Sequence, residues 1–287
     1  MRETKSYILN VNKPAGITSA SVVAQIKRIL GGAKVGHLGT LDSLGCGVLP
    51  IAVNKATRIF AFAEHKQKSY RAIFKFGIET DTLDSAGSIT QKSHKIITEQ
   101  DLKHAAKKFV GTQMQMPPNF SAKKINGVRA SDLMRKNIEV EIKPKAVRID
   151  KIEVVKQFEE NTFLVEVDCG EGTYIRSLCR DLARQMGTCG VMVGICRTRC
   201  GICDISNAVT IDDVKNGVFN KIEISQMLDL PQKHISNSLC NDLLCGKKVR
   251  FEAESAGKFL LFSGSVLLGV YHCDDGYLKC DAFLRSE

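Results

Sequence analysis

Hydrophobic and polar positions along this chain alternate between two periods. SYILNVN is short and apolar and stops at the turn signal NKPAG around Pro14 and Gly16, which predicts a strand over about residues 7–12. Behind it, Val22, Val23, Ile26, Ile29 and Leu30 recur at helical spacing after hydroxyl residues able to cap a helix, with Gly31 as the stop. Period two returns in SYRAIFKFGIETDT, which sets Tyr70, Ala72, Phe74, Phe76 and Ile78 on one face and leaves Arg71 and Lys75 on a wet one. In TEQDLKHAAKKFVG, Thr98 is placed to cap a helix that buries Leu102, Ala105, Ala106, Phe109 and Val110 and ends at Gly111. MPPNFSAKKINGVRA reads as an exposed basic loop. AVRIDKIEVVKQF and TFLVEVDCG then read as two strands, and GEGTYIRSLCRDLARQMG as a helix burying Ile175, Leu178, Leu182 and Met186.

These elements mix without a regular strand–helix repeat, which predicts an α+β domain with a mainly antiparallel, mixed sheet flanked by helices. After Pro231 the pattern shortens to KFLLF, SVLLGVY and GYLKCDAFL, with the hairpin signal DDG at 274–276. The expected organisation is a large α+β domain over residues 1–231 and a small all-β domain over 232–287.

Composition narrows the function. With 44% apolar and 25% charged residues among 287, the chain has enough apolar material for a core and is not dominated by disorder. No apolar run reaches the roughly 20 residues that span a bilayer, and the start MRETKSYILN lacks a secretory stretch, so the chain reads as cytoplasmic with no membrane partner. The 41 Lys and Arg against 31 Asp and Glu give +10, which points to a polyanionic partner. Eleven cysteines, an odd number in a chain read as cytoplasmic, suit buried thiols better than a disulfide framework.

Four chemistries compete. Cys196, Cys200 and Cys203 form a C-x3-C-x2-C run of the kind that holds an iron–sulfur cluster in radical enzymes, but no array of strand and helix units follows it. GHLGTLDSLGCG matches neither glycine-rich nucleotide motif, and in CGEGTY the carboxylate of Glu171 stands where a phosphate would be repelled. His37, Asp42 and Ser43 are close in sequence, yet there is no G-x-S-x-G elbow. In the fourth reading Asp42 is itself the nucleophile. Glycines around it let a ligand approach the backbone, and an enclosed carboxylate stays charged if an arginine fork holds it.

Five blocks in order carry a resemblance: VNKPAGITS at 11, VGHLGTLDSLGCGVLPIAVNKATR at 35, KSYRAIFKFGIETDTLDSAG at 68, PPNFSAKKINGVRASDL at 117 and CGEGTYIRSLCRDLARQMG at 169. Together with VGICRTRCG they resemble the TruB-type tRNA pseudouridine synthases over nearly all of residues 7–205. The resemblance implies the pseudouridine synthase fold, a PUA-like C-terminal module set against the tRNA acceptor arm, and isomerisation of the T-loop uridine at position 55. It implies no cofactor or metal, tRNA as partner through its T arm, and a monomer without an obligate protein partner.

By the same resemblance Asp42 matches the catalytic aspartate, Tyr70 an active-site tyrosine that stacks on the base, Arg176 the arginine paired with the aspartate, and Asp84 a second carboxylate in that network. His37 matches the residue that fills the space left by flipped bases, while Tyr174 and Ile195 match the polar edge and apolar wall of the uracil pocket. Lys13, Lys66, Lys68, Lys123, Lys124 and Arg129 are expected to meet phosphates. Leu38, Ser43, Gly45 and Cys46 depart from the usual threonine, proline and Ala-Thr or Ala-Ser of the family, which predicts a more mobile loop beside Asp42. The competing reading from another class is a non-catalytic RNA-binding or RNA-folding protein that uses the same basic surface.

Overall fold

A computed structural model of the chain describes residues 3–63, 67–120, 124–125, 128–129, 143–251 and 257–285, with backbone alone at 124–125 and 128–129. In chain order the elements begin β1 (Tyr7–Lys13), α1 (Ser19–Ile29), β2 (Val35–His37), β3 (Cys46–Val53), β4 (Lys68–Phe76), β5 (Ile78–Thr80), β6 (Ile89–Lys92), α2 (Glu99–Lys107) and β7 (Gly111–Gln115). There follow β8 (Lys124–Ile125), β9 (Val128–Arg129), β10 (Lys145–Glu159), β11 (Thr162–Cys169), α3 (Ile175–Gln185), β12 (Gly190–Cys200), β13 (Cys203–Asp204) and α4 (Ile211–Lys215). The chain closes with β14 (Gln232–Ile235), α5 (Asn237–Leu244), β15 (Lys258–Ser263), β16 (Val266–Asp274) and β17 (Tyr277–Phe283).

The large sheet runs β1-β3-β12-β4-β11-β10-β7, with β2 added to β3 and β13 to β12. Every pairing in it is antiparallel except that of β3 with β12, so the expected mixed, mainly antiparallel sheet is what forms. On β4 the alternation works as read: Tyr70, Ala72, Phe74 and Phe76 are buried and pack with Phe163, Val165 and Val167 of β11 and with Leu178 and Leu182 of α3. Ile78 falls past the end of β4 and is only half-buried.

Local signals fix the helices. Thr18 caps α1 by accepting from Ser21 N, and Val22 and Ile26 enter the core. Thr98 and Asp101 form a reciprocal capping box on α2, whose buried side is Leu102, Ala105 and Ala106. Val110 departs from the expected stripe and is 49% exposed, because the helix ends at Lys107 and the chain turns into β7. The expected basic loop after Met116 includes a short hairpin of β8 with β9.

The smaller sheet, β14-β15-β16-β17, uses alternation in both directions. Phe259 and Leu261 face a cluster with Cys240 of α5, while Leu260 and Val270 join Ile8, Val48 and Ile59 of the large domain's core. The DDG signal becomes a two-residue turn in which Asp275 and Gly276 both have positive φ, at 49° and 76°. This region is not all strand, since α5 crosses it. Among the described residues no helix is long and apolar enough to cross a membrane.

The parallel contact of β3 with β12 is the tightest backbone approach near the cleft described below. Gly47 has φ +101°, and a Cβ built on it would lie 2.3 Å from the Arg197 carbonyl oxygen. Gly47→Ala should therefore lower the urea-unfolding free energy by roughly 2–4 kcal/mol, combining a disfavoured φ with a backbone clash. A loss below about 1 kcal/mol would show that the two strands can part without cost.

Candidate active site

The loop between β2 and β3 carries Asp42 and is anchored on both flanks. Ser19 at the start of α1 accepts from Leu41 N at 3.0 Å and donates to Leu41 O at 2.9 Å, so the residue before Asp42 is held by one hydroxyl. After it, Gly45 N donates to Asp42 O at 3.0 Å and closes a turn. Ser43 O, in the segment that departs from the family pattern, accepts from Gly16 N at 2.8 Å and from Lys13 Nζ at 3.4 Å.

Arg176 lies in the first turn of α3 with 7% of its side chain exposed. Its Nε and Nη2 grip the two oxygens of Asp42 at 2.9 and 3.0 Å in a bidentate fork that fixes the plane of the carboxylate. The remaining N–H groups are also used: Nη1 donates to Thr82 O at 2.9 Å and faces Asp84 Oδ2 at 3.4 Å, and Nη2 also reaches Phe120 O at 3.1 Å. Asp84 is buried behind the arginine, and its Oδ1 accepts from Thr82 Oγ1 at 2.7 Å and Ala86 N at 3.1 Å. One guanidinium thus bridges two carboxylates, one enclosed and one with 37% of its side chain open to the cleft.

That cleft has a volume of about 670 Å³ and is lined by Asp42, Tyr70, Tyr174, Arg176 and Ile195, with Lys68, Lys145, Met192 and Glu171 around them. Tyr70 is 8% exposed, and burial pushes its phenol up to about 12 against a smaller opposing effect of the Arg197 charge, so it is a neutral hydroxyl at physiological pH. Tyr174 is oriented through its backbone, since Gln115 Oε1 accepts from Tyr174 N at 2.8 Å and Gln115 Nε2 donates to Tyr174 O at 3.1 Å. Tyr70 and Ile195 give the cleft one aromatic and one aliphatic wall, with the Asp42 carboxylate among the same lining residues. The arrangement supplies a carboxylate nucleophile and a phenolic proton donor, with no thiol or imidazole among the described residues of the lining.

Residues 27–175 match the model of the TruB family pseudouridylate synthase N-terminal domain. The chain is 34% identical over 266 residues to the tRNA pseudouridine synthase B of Caldanaerobacter subterraneus subsp. tengcongensis, covering 92% of this chain and 93% of that one. It belongs to the TruB family of pseudouridylate synthases. A second relative, the tRNA pseudouridine synthase B of Rickettsia bellii, is 39% identical over 241 residues, 83% of this chain and 80% of that protein. Cbf5 in the archaeal box H/ACA Nop10–Cbf5 complex shares the fold at a TM-score of 0.71 and 20% identity, over 97% of this chain and 86% of that one. This synthase is therefore an isomerase by family, and the geometry can be set against the expectations for its residues.

Five expected residues, Asp42, Tyr70, Tyr174, Arg176 and Ile195, meet in one cleft, and Asp84 stands behind Arg176. His37 does not line it. It opens on a neighbouring cleft of about 130 Å³ with Phe60, Ala63, Cys200 and Met227, and the two share Gly39, Lys68 and Glu171 as a common wall. Lys13 corrects the expected phosphate-binding surface: it is 0% exposed, and Nζ donates to Pro14 O at 2.9 Å and Ile17 O at 2.6 Å as well as to Ser43 O. Its ammonium is spent on main-chain carbonyls that tie the first turn to the Asp42 loop. Lys66 and Lys123 lie outside the described residues, as do the side chains of Lys124 and Arg129.

The cysteine run is dispersed. Cys196 sits beside Cys46, whereas Cys200 and Cys203 pair across a hairpin in an apolar cluster with Ile8 and Met227. Among the described residues no group of three or more His, Cys, Asp or Glu is placed to hold a metal ion. Sequence reasoning missed Lys145, Gln115 and Arg197; the first ends a basic run before a strand, and the other two carry no local signal separating them from surface polar residues.

Tyr70 holds its proton more tightly folded than unfolded, where a phenol ionises near 10. Its contribution to stability is whole below pH 10 and is lost as pH rises toward 12. Unfolding free energy measured in urea should fall across that interval, and Tyr70→Phe should flatten part of the fall, leaving the share due to Tyr7 and Tyr271, which burial raises as well. Identical slopes for the two proteins would show that Tyr70 titrates as if exposed.

Proposed function

We propose that this synthase isomerises a uridine in the T loop of tRNA, position 55, to pseudouridine, and that Asp42 is the catalytic carboxylate that promotes cleavage of the glycosidic bond. The observation that carries this reading is the Asp42 carboxylate held by both arms of Arg176 at the mouth of a cleft walled by Tyr70, Tyr174 and Ile195. Its tRNA substrate is argued from relatives named tRNA pseudouridine synthase B that match along most of their length.

The target uridine leaves its stack at a cost on the order of a few kcal/mol and enters the cleft, where the ring lies on Tyr70 with Ile195 beyond it. Asp42 assists cleavage of the bond from ribose C1′ to uracil N1. The freed uracil turns, C5 bonds to C1′, and the C5 proton is lost while N1 gains one, so atoms and charge balance with no oxidant or reductant. The fork of Arg176 orients Asp42 toward the cleft, and Asp84 balances the arginine while Asp42 is engaged.

Lys68 and Lys145 on the rim meet phosphates of the extruded strand, and His37, across the shared wall, faces a neighbouring base. Residues 1–231 form the catalytic unit, and the sheet after Pro231 extends contact toward the acceptor arm. The protein works as a monomer in the cytoplasm.

Asp42→Asn should reduce tritium release from uracil C5-labelled unmodified tRNA by at least about a thousandfold while tRNA affinity stays within about threefold, because the nucleophile is lost and the phosphate contacts remain. Release at the wild-type rate would remove Asp42 from the reaction; wild-type protein that binds tRNA and releases nothing would favour a binding protein. In a salt titration of tRNA affinity, Lys68→Met or Lys145→Met should lower the slope by about one, and Lys13→Met should leave it unchanged. A slope change for Lys13→Met equal to that of Lys68→Met would return Lys13 to the RNA surface.

A further inference from the structure

Arg197 is 1% exposed and heads the large side chains that are fully buried. It occupies the middle of β12, with Gly47 of β3 as its strand partner on one side and Tyr70 of β4 on the other. Nε donates to Val48 O at 2.7 Å and Nη2 to Gly39 O at 3.1 Å. One of those carbonyls precedes Asp42 and the other follows it, so a single planar group spans the two ends of the loop. Two main-chain carbonyls accept from it and the Tyr70 phenol faces it, while no carboxylate among the described residues forms an ion pair with it. A buried cation without a counter-ion costs stability where an apolar side chain of similar volume does not. Core packing alone therefore gives no reason for an arginine here; the two ends of the loop do.

We propose that Arg197 is a positioning residue for the isomerisation, clamping both ends of the Asp42 loop from the strand next to Tyr70 and so setting the distance between carboxylate and phenol. This rests on the reading of Asp42 and Tyr70 as groups that touch the nucleotide. The clamp is rigid for geometric reasons. The guanidinium is planar, Gly47 leaves no room between β3 and the Arg197 backbone, and Tyr70 is fixed by its register with β12. If the fork is lost, Val48 stays in its pairing with Asn12 and the loop keeps its anchors at Ser19 and Lys13, but it loses its tie to β12 at Gly39. Binding of RNA, which uses the rim, should survive; alignment of the carboxylate should not.

The test uses Arg197→Met and Arg197→Lys in the full chain. Met fills the space of the stem and removes both donors; Lys keeps the charge and replaces the fork with one point donor. In Arg197→Met, hydrogen exchange at amides 39–47 should speed at least about tenfold, with amides of β10 and β11 unchanged. Its kcat for tritium release should fall about a hundredfold, the cost of a small misplacement of the reacting group, with KM and tRNA affinity within about threefold. Arg197→Lys should recover part of both losses, and it alone decides the matter if the Met variant does not fold. The proposal is overturned by a folded variant whose kcat stays within threefold of wild type, by losses that appear equally in KM, or by unchanged exchange in the loop. Exchange is read without substrate, so it judges the clamp even if Asp42→Asn proves fully active and the functional reading falls.

Discussion

The cleft depends on the place where β3 lies parallel to β12, because there a loop that leaves one strand of the sheet returns beside another that carries the cleft wall. Gly47 permits that approach by having no Cβ, and its neighbours inherit their positions from it. Asp42 is carried toward Arg176 on one side of the junction, and Ile195 is set against Gly45 on the other, with a Cβ at Gly45 only 3.0 Å from Ile195 Cγ2. The glycines at 45 and 47 thus serve close packing, since a side chain at either would meet β12.

Charge organises the same region in layers. Arg176 divides its donors between Asp42 and Asp84, which leaves one carboxylate available to a ligand and one committed to the protein. Beneath the loop the Lys13 ammonium and the Arg197 guanidinium donate to main-chain carbonyls, which leaves positive potential under the cleft floor. The arrangement suits a polyanion whose target must come close to a carboxylate: lysines on the rim attract phosphate, and Asp42 keeps 37% of its side chain open to the cleft.

Much of the fold was legible from periodicity. The half-buried alternation of β4, the capping residues of α1 and α2, the buried stripe of α3 and the DDG turn are local, and local rules found them. β3 and β12 escaped because their runs, CGVLPIAV and GVMVGICRTRC, contain glycine and proline or end in alternating arginines, and an interior strand buried on both faces shows no alternation. Lys13 was misread for a related reason. A lysine in a turn signal reads as solvated, and only the convergence of three carbonyls from two separate turns makes its burial favourable.

The sequence by itself determined the chemistry available: an aspartate between glycines, a tyrosine opening a strand, an arginine in the first turn of a helix, and an excess of cations suited to RNA. Only the tertiary structure decided which of them meet. Asp42 and Arg176 are brought together by a sheet whose strand order differs from chain order, and His37, though close to Asp42 along the chain, is turned to the next cleft. Residue type sets what a group can do. Contact between distant residues depends on register and crossover, which arise from packing of the whole sheet and have no local signature.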